Sequence, residues 1–199
     1  MKTRSMFTLI EVLAVMTIAS IMLAISVGPL VRAIADEQLK SSARKVSRVV
    51  MLARQEAIVN RRRVAVIIPN NCDFLATCYV NKDTGAFDGW TQGKATVQLS
   101  TIGIVDGPYV IDEAGLVSPA HSTVPGIAWA MPNPPPTTCG AIVFKPSGSC
   151  YSIDGSAPYV VQILDAARSE SGEVTVRSDK KFSLEVNCYT GRWRYLAEP

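Results

Sequence analysis

The sequence predicts an α+β chain, with one long N-terminal helix laid against a strand-rich domain. Three observations predict it. Residues 7–31 form an apolar block broken by a single charge, Glu11. Residues 32–60 carry apolar side chains at helical spacing. Beyond Arg61 the texture changes to short apolar runs punctuated by Gly, Pro, Asn and Ser.

The first block is long enough to cross a membrane. About 20 apolar helical residues span a bilayer core of roughly 30 Å, and residues 12–31 contain no ionisable side chain. A charge at mid-bilayer costs about 2.5–3.5 kcal/mol on insertion scales, so Glu11 needs a reason. Lying about one turn inside the block, it either reaches back to the headgroups or pairs with a charge on another subunit. Lys2 and Arg4 precede the block, which favours a cytoplasmic N-terminus by the positive-inside rule. The remaining domain then faces the periplasm or the cell exterior. An ordinary secretory signal would have a shorter apolar region followed by a small-residue cleavage site.

Phe7-Thr8-Leu9-Ile10-Glu11-Val12 and the apolar run after it resemble the class III signal of type IV pilins and type II secretion pseudopilins. The resemblance implies a six-residue leader, 1–6, removed by a prepilin peptidase that cuts between Met6 and Phe7 and methylates the new amine of Phe7. It implies that the helix anchors the subunit in the bacterial inner membrane and then packs into a filament core. Glu11 would pair there with the N-terminal amine of a neighbouring subunit, a buried anion matched by a cation. The family normally has Gly before the Phe, and this chain has Met6. That departure leaves open slow cleavage, a tolerant peptidase, or a membrane-anchored envelope protein that is never processed.

The chain has 199 residues, is 48% hydrophobic and 19% charged, and carries a formal net charge of +3. After the apolar N-terminus the length suits one further domain. The charge is too mild to imply nucleic-acid binding from composition alone. Five cysteines occur, Cys72, Cys78, Cys139, Cys150 and Cys188. In an oxidising compartment disulfides are plausible. The close spacings favour Cys72 with Cys78 and Cys139 with Cys150, leaving Cys188 odd, although sequence does not fix connectivity. A metal site is disfavoured, because no C-x-x-C pair exists and His121 is the only histidine.

The helix is expected to continue to about Asn60, with Gly28-Pro29 kinking or loosening it. Ile34, Leu39, Ala43, Val46, Val50, Ala53 and Ala57 make an apolar stripe that covers a sheet, and the basic residues lie largely elsewhere. Strands are expected over residues 64–68, 74–80, 96–104, 126–130, 141–144, 159–164, 174–177, 182–188 and 192–196. Residues 81–93 read as an exposed turn-rich loop. Pro132-Asn133-Pro134-Pro135-Pro136 cannot join a central ladder.

Two further stretches resemble the GspH/FimT group of minor pseudopilins and minor pilins. One is Leu52-Ala53-Arg54-Gln55-Glu56-Ala57-Ile58 with the basic turn Asn60-Arg61-Arg62-Arg63. Arg54 and Glu56 are expected to orient that turn through local ion pairs, worth a few tenths of a kcal/mol. The other is C-terminal: Ile142-Val143-Phe144-Lys145-Pro146-Ser147-Gly148, then Leu184-Glu185-Val186-Asn187 and Thr190-Gly191-Arg192-Trp193-Arg194. The resemblance implies a pilin-like fold with antiparallel sheet, divided as 1–6 leader, 7–31 membrane or filament-core helix, 32–60 amphipathic helix and 61–199 β-rich domain. Residues 70–138 match no pattern.

No catalytic constellation is present. His121 lies in a Ser/Thr/Pro loop without a nucleophile elbow. Gly85, Gly89 and Gly93 make no phosphate motif, and Asp112, Glu113, Asp165, Glu170 and Glu173 are scattered. The expectation is a structural protein without enzyme activity or cofactor. It would work with other pilin or pseudopilin subunits in a type II secretion or type IV pilus system, while a separate ATPase supplies the energy. In FimT-type pilins a G-R-x-R stretch is associated with DNA contact. The resemblance therefore implies DNA as an alternative partner, through Arg192 and Arg194. On a strand these two share one face, with Trp193 opposite and more at home in the core. The competing reading is a solvated hairpin.

Overall fold

The computed structural model describes residues 8–69, 72–91, 96–99, 103–112, 115–117, 124–129, 139–151, 159–169 and 173–196. Met6, Phe7, His121 and the proline-rich loop lie outside them. The chain divides into two compact units, Met1–Glu37 and Gln38–Pro199.

One helix, α1 (Leu9–Val59), runs through both. Thr8 starts it: its Oγ1 accepts the Glu11 N–H at 3.4 Å, and its carbonyl accepts the N–H groups of Glu11 and Val12. Thr8-x-x-Glu11 thus has the spacing of a capping box. Pro29 lies inside this helix, where a proline removes one ladder hydrogen bond and crowds one carbonyl. The helix ends where Arg61 enters the left-handed region at φ 51.

Among the described residues ten strands follow: β1 (Arg63–Pro69), β2 (Phe74–Val80), β3 (Phe87–Trp90), β4 (Thr96–Gln98), β5 (Ile104–Asp112), β6 (Gly115–Val117), β7 (Cys139–Phe144), β8 (Tyr159–Arg168), β9 (Val174–Val186) and β10 (Trp193–Leu196). They form two sheets. The first is ordered β3-β2-β1-β7, with β4 also paired to β2, and the second β10-β9-β8-β5-β6. Every strand pairing is antiparallel. The architecture is therefore α+β, a long N-terminal helix on antiparallel sheet.

The principal core lies under residues 38–59 of α1. Leu39, Ala43, Val46, Val50, Ala53 and Ala57 are buried against Val64, Val66, Ile68, Ile142 and Phe144 of the first sheet. The same helix face meets Val161, Ile163, Leu184 and Val186 of the second. Each fully buried large side chain contributes roughly 1.5–3 kcal/mol. Of the expected stripe only Ile34 is exposed, since helix burial begins at Leu39. Lys45 Nζ reaches the Gln98 carbonyl at 3.4 Å, and the Tyr195 hydroxyl reaches Ser47 Oγ at 3.3 Å.

A second cluster covers the opposite face of the first sheet. Ala65, Ile67, Cys78, Cys139 and Ala141 are buried beneath Trp90, Ile127 and Trp129. Strand β1 is thus buried on both faces, which explains its continuous apolar run. Residues 124–129 serve as that lid rather than the expected strand, with Trp129 5.3 Å from Trp90 and 5.9 Å from Phe74. The expected loop 81–93 contains β3, whose amphipathic Phe87 and Trp90 pack on this lid. The run 96–104 divides into β4 and β5, and these join different sheets. The two runs expected at 174–177 and 182–188 form one strand, β9. Opposite β9, β8 absorbs a register shift between Leu164 and Ala166.

Candidate functional site

The first unit is dominated by naked apolar surface. Every described residue from 8 to 34 is exposed, including Leu9, Met16, Leu23 and Val31. The helix is long and apolar enough to cross a membrane. A helix apolar all round belongs in lipid or inside a packed bundle. Its hydroxyls are already satisfied. Thr17 Oγ1 donates to the Leu13 carbonyl, Ser20 Oγ to Met16 and Ser26 Oγ to Met22, each at 2.8 Å. In a medium without water each bond removes a cost of a few kcal/mol. Glu11 is the acidic residue in the first turn, where a carboxylate also favours the helix dipole.

The C-terminal hairpin closes the second unit. Asn187 Oδ1 accepts the N–H groups of Tyr189 and Thr190 at 3.1 and 3.0 Å, and the Gly191 N–H reaches the Asn187 carbonyl at 2.7 Å. Gly191 adopts φ +61, and a Cβ there would lie 2.0 Å from the Gly148 carbonyl oxygen. That carbonyl accepts Arg54 Nε at 3.0 Å. Arg54 therefore ties the helix to two turns rather than forming the expected local ion pair. Glu56 likewise accepts the Tyr79 hydroxyl and Asn60 Nδ2, each at 2.6 Å. The Glu56 bond pushes the Tyr79 phenol up, and burial adds to it.

Arg192 lies just before β10, and both Arg192 and Arg194 are exposed. Arg194 stands opposite Glu185 in the sheet, with Nε 2.7 Å from Glu185 Oε2. Glu185 is nearly buried, and Arg194 supplies its charge partner. The Glu185 hydrogen bond raises the Arg194 guanidinium further above its ordinary range. Trp193 packs against the principal core.

A cationic cleft lies elsewhere. Arg61, Arg62, Arg63, Lys82 and Lys145 line a cleft of about 520 Å³ together with Asp83 and Asp88. Arg62 pairs with Asp88 at 2.6 Å, and Arg63 Nη1 donates to the Lys82 carbonyl at 2.7 Å. Arg63 and Lys145 also both approach the Tyr151 ring. Ser147 is part of this lining, and the adjacent Gly148 touches Gly191, so the cleft neighbours the hairpin turn. The Arg61–Arg63 run was legible as a basic turn; the convergence of Lys82 and Lys145 on it required strand pairing.

The expected disulfides are not formed. All five cysteines are buried, and no pair stands at disulfide distance. Cys72 lies before β2 and Cys78 within it, a separation of about 20 Å at roughly 3.3 Å per extended residue. Cys139 opens β7, whereas Cys150 bridges Phe144 at its far end. Burial pushes the Cys78 thiol up to about 12, and burial with Cys72 nearby pushes Cys139 up to about 11. Among the described residues no three His, Cys, Asp or Glu side chains gather as a metal site.

No family model and no curated relative matches the sequence. Solved structures do match. The minor pseudopilin EpsH from the type II secretion system of Vibrio cholerae is 17% identical, with 80% of this chain and 96% of that chain covered and a TM-score of 0.48. A second EpsH structure gives 17%, 81%, 97% and 0.48. The type IV minor pilin FimU of Pseudomonas aeruginosa is 12% identical, with 79% and 92% covered and a TM-score of 0.44.

Proposed function

We propose that this chain is a minor pilin or pseudopilin, a structural subunit of a type II secretion or type IV pilus system. The observation that carries the reading is α1 itself: an all-round apolar surface over residues 9–31 whose one charge, Glu11, lies in the first turn. Before assembly that surface sits in the bacterial inner membrane as a single span, with the N-terminus cytoplasmic and the β-rich domain periplasmic. After assembly other pilin subunits cover it. A prepilin peptidase is the processing partner, cutting between Met6 and Phe7.

Mass spectrometry of membrane-extracted protein tests this reading. The expected mature chain begins at Phe7 with a methylated amine. Met6→Gly is expected to raise the processed fraction, because a small residue lets the backbone enter the peptidase site. Intact Met1 on all molecules, in a host with an active peptidase, would leave an unprocessed membrane-anchored envelope protein as the better account.

The basic cleft beside the hairpin turn favours a second reading, in which the same subunit also contacts DNA. Arg192 and the cleft cations would hold phosphates, so binding would be weak, sequence-independent and salt-sensitive. Full-length protein in detergent is expected to shift duplex DNA at low salt. Arg192→Gln should lower the magnitude of the log–log salt slope by roughly 0.9. Arg194→Gln should act less, because Glu185 already engages that side chain. No shift at low salt, or an unchanged slope for Arg192→Gln, removes DNA as a partner.

A further inference from the structure

We propose that Cys150 and Cys188 form an oxidisable dithiol, closing to a disulfide that fastens the C-terminal hairpin to the turn after β7. The two residues are far apart in sequence and adjacent in space. The Cys150 N–H donates to the Cys188 carbonyl at 2.8 Å. That bond sets the two residues side by side, and a disulfide needs such close α-carbons. Both side chains are buried in the same core cluster. The Cys150 thiol donates to the Asn187 carbonyl at 3.8 Å and is within hydrogen-bonding reach of Cys188. A small side-chain rotation therefore brings the sulfurs together without moving strands.

Access is provided from one side. A cleft of about 440 Å³, lined by Lys145, Ser147, Tyr151, Tyr189 and both cysteines, reaches the pair. The oxidant is a small disulfide such as oxidised glutathione, or a disulfide-exchange protein of the same chemistry. One cysteine thiolate attacks the oxidant's disulfide, forms a mixed disulfide and releases one thiol. The second cysteine attacks the mixed disulfide, forms the Cys150–Cys188 bond and releases the second thiol. The two cysteine protons end on the released thiols, and two electrons pass to the oxidant.

The resulting loop of about 40 residues is long enough for the cross-link to restrict the unfolded chain substantially. It anchors Cys188, which lies three residues before Gly191 and four before Arg192. The proposal stands whether or not the chain assembles into filaments.

Full-length protein in detergent, treated with oxidised glutathione, provides the test. Thiol titration should fall by two per chain, and non-reducing peptide mapping should join the peptides containing Cys150 and Cys188. Oxidation should raise the unfolding temperature by roughly 5–15 °C. Cys150→Ser with Cys188→Ser should abolish both effects, whereas Cys72→Ser with Cys139→Ser should keep them. Five remaining thiols after exhaustive oxidation, or a cross-link mapping to any other pair, would overturn the proposal. Should the first double variant fold poorly, the peptide map of the native sequence still decides.

Discussion

Replacing Glu11 with Ala is expected to leave membrane insertion intact and to remove this chain from filaments. The substitution deletes a carboxylate from an apolar helix, so insertion becomes easier if it changes at all. Assembly should respond in the opposite direction. A buried amine on the neighbouring subunit would lose its partner, and breaking such a pair costs about 3–5 kcal/mol. That corresponds to roughly two to three orders of magnitude in association. Glu11 also stands at capping-box spacing after Thr8, whose Oγ1 accepts its N–H, so a local effect must be separated from the intersubunit one. Glu11→Gln does so, since Gln preserves the capping-box pattern and loses the charge. Both variants should fail to co-purify with the major subunit while fractionating with membranes. Restoration by Gln would assign Glu11 to helix capping, and wild-type recovery of the Ala variant would end the pairing role.

The second large effect is expected at Gly191. An alanine there would need φ +61 and would place its Cβ 2.0 Å from a backbone oxygen and 2.8 Å from Arg54 Nε. The backbone contact is not relieved by rotating a side chain. Left-handed strain of about 1–2 kcal/mol adds to the displacement of the Gly148 turn, for a total of roughly 3 kcal/mol or more. At about 2–4 °C per kcal/mol for a chain of this size, the unfolding midpoint should fall by about 6–12 °C. Gly85→Ala is the control. Its φ is +70, but nothing lies within 4 Å of the added carbon, so only the strain should register. Equal losses in the two variants would show that the Arg54–Gly148–Gly191 contact carries no stability.

The helix was the most legible part of the chain, because periodicity is a local property. Its stripe from Leu39 to Ala57 could be read directly, and those residues meet both sheets. The Thr8-x-x-Glu11 spacing is equally local, and Thr8 caps the helix start. Strands buried on one or both faces, such as β1 and β2, were read closely. Strand β3 is short, holds Gly89 and follows the turn residues Asn81 and Gly85, so its stretch reads as a loop. The expected strand 126–130 falls partly in the lid at 126–129, because apolar residues under a sheet resemble apolar residues in one.

Cysteine pairing shows where local reading ends. Spacing joins residues near in sequence, yet an extended strand carries Cys78 far from Cys72 and Cys139 far from Cys150. The sheet instead returns Cys188 to Cys150. Arg192 and Arg194 were predicted as an equivalent pair, and strand register assigned one of them to Glu185. By itself, then, the sequence determined an apolar helix able to cross a membrane, its amphipathic continuation and an α+β architecture. These follow from patterns within a few turns or one strand. Only the tertiary structure decided which cysteines meet, which arginine is already engaged and where the cations converge, because those contacts depend on how distant segments pair.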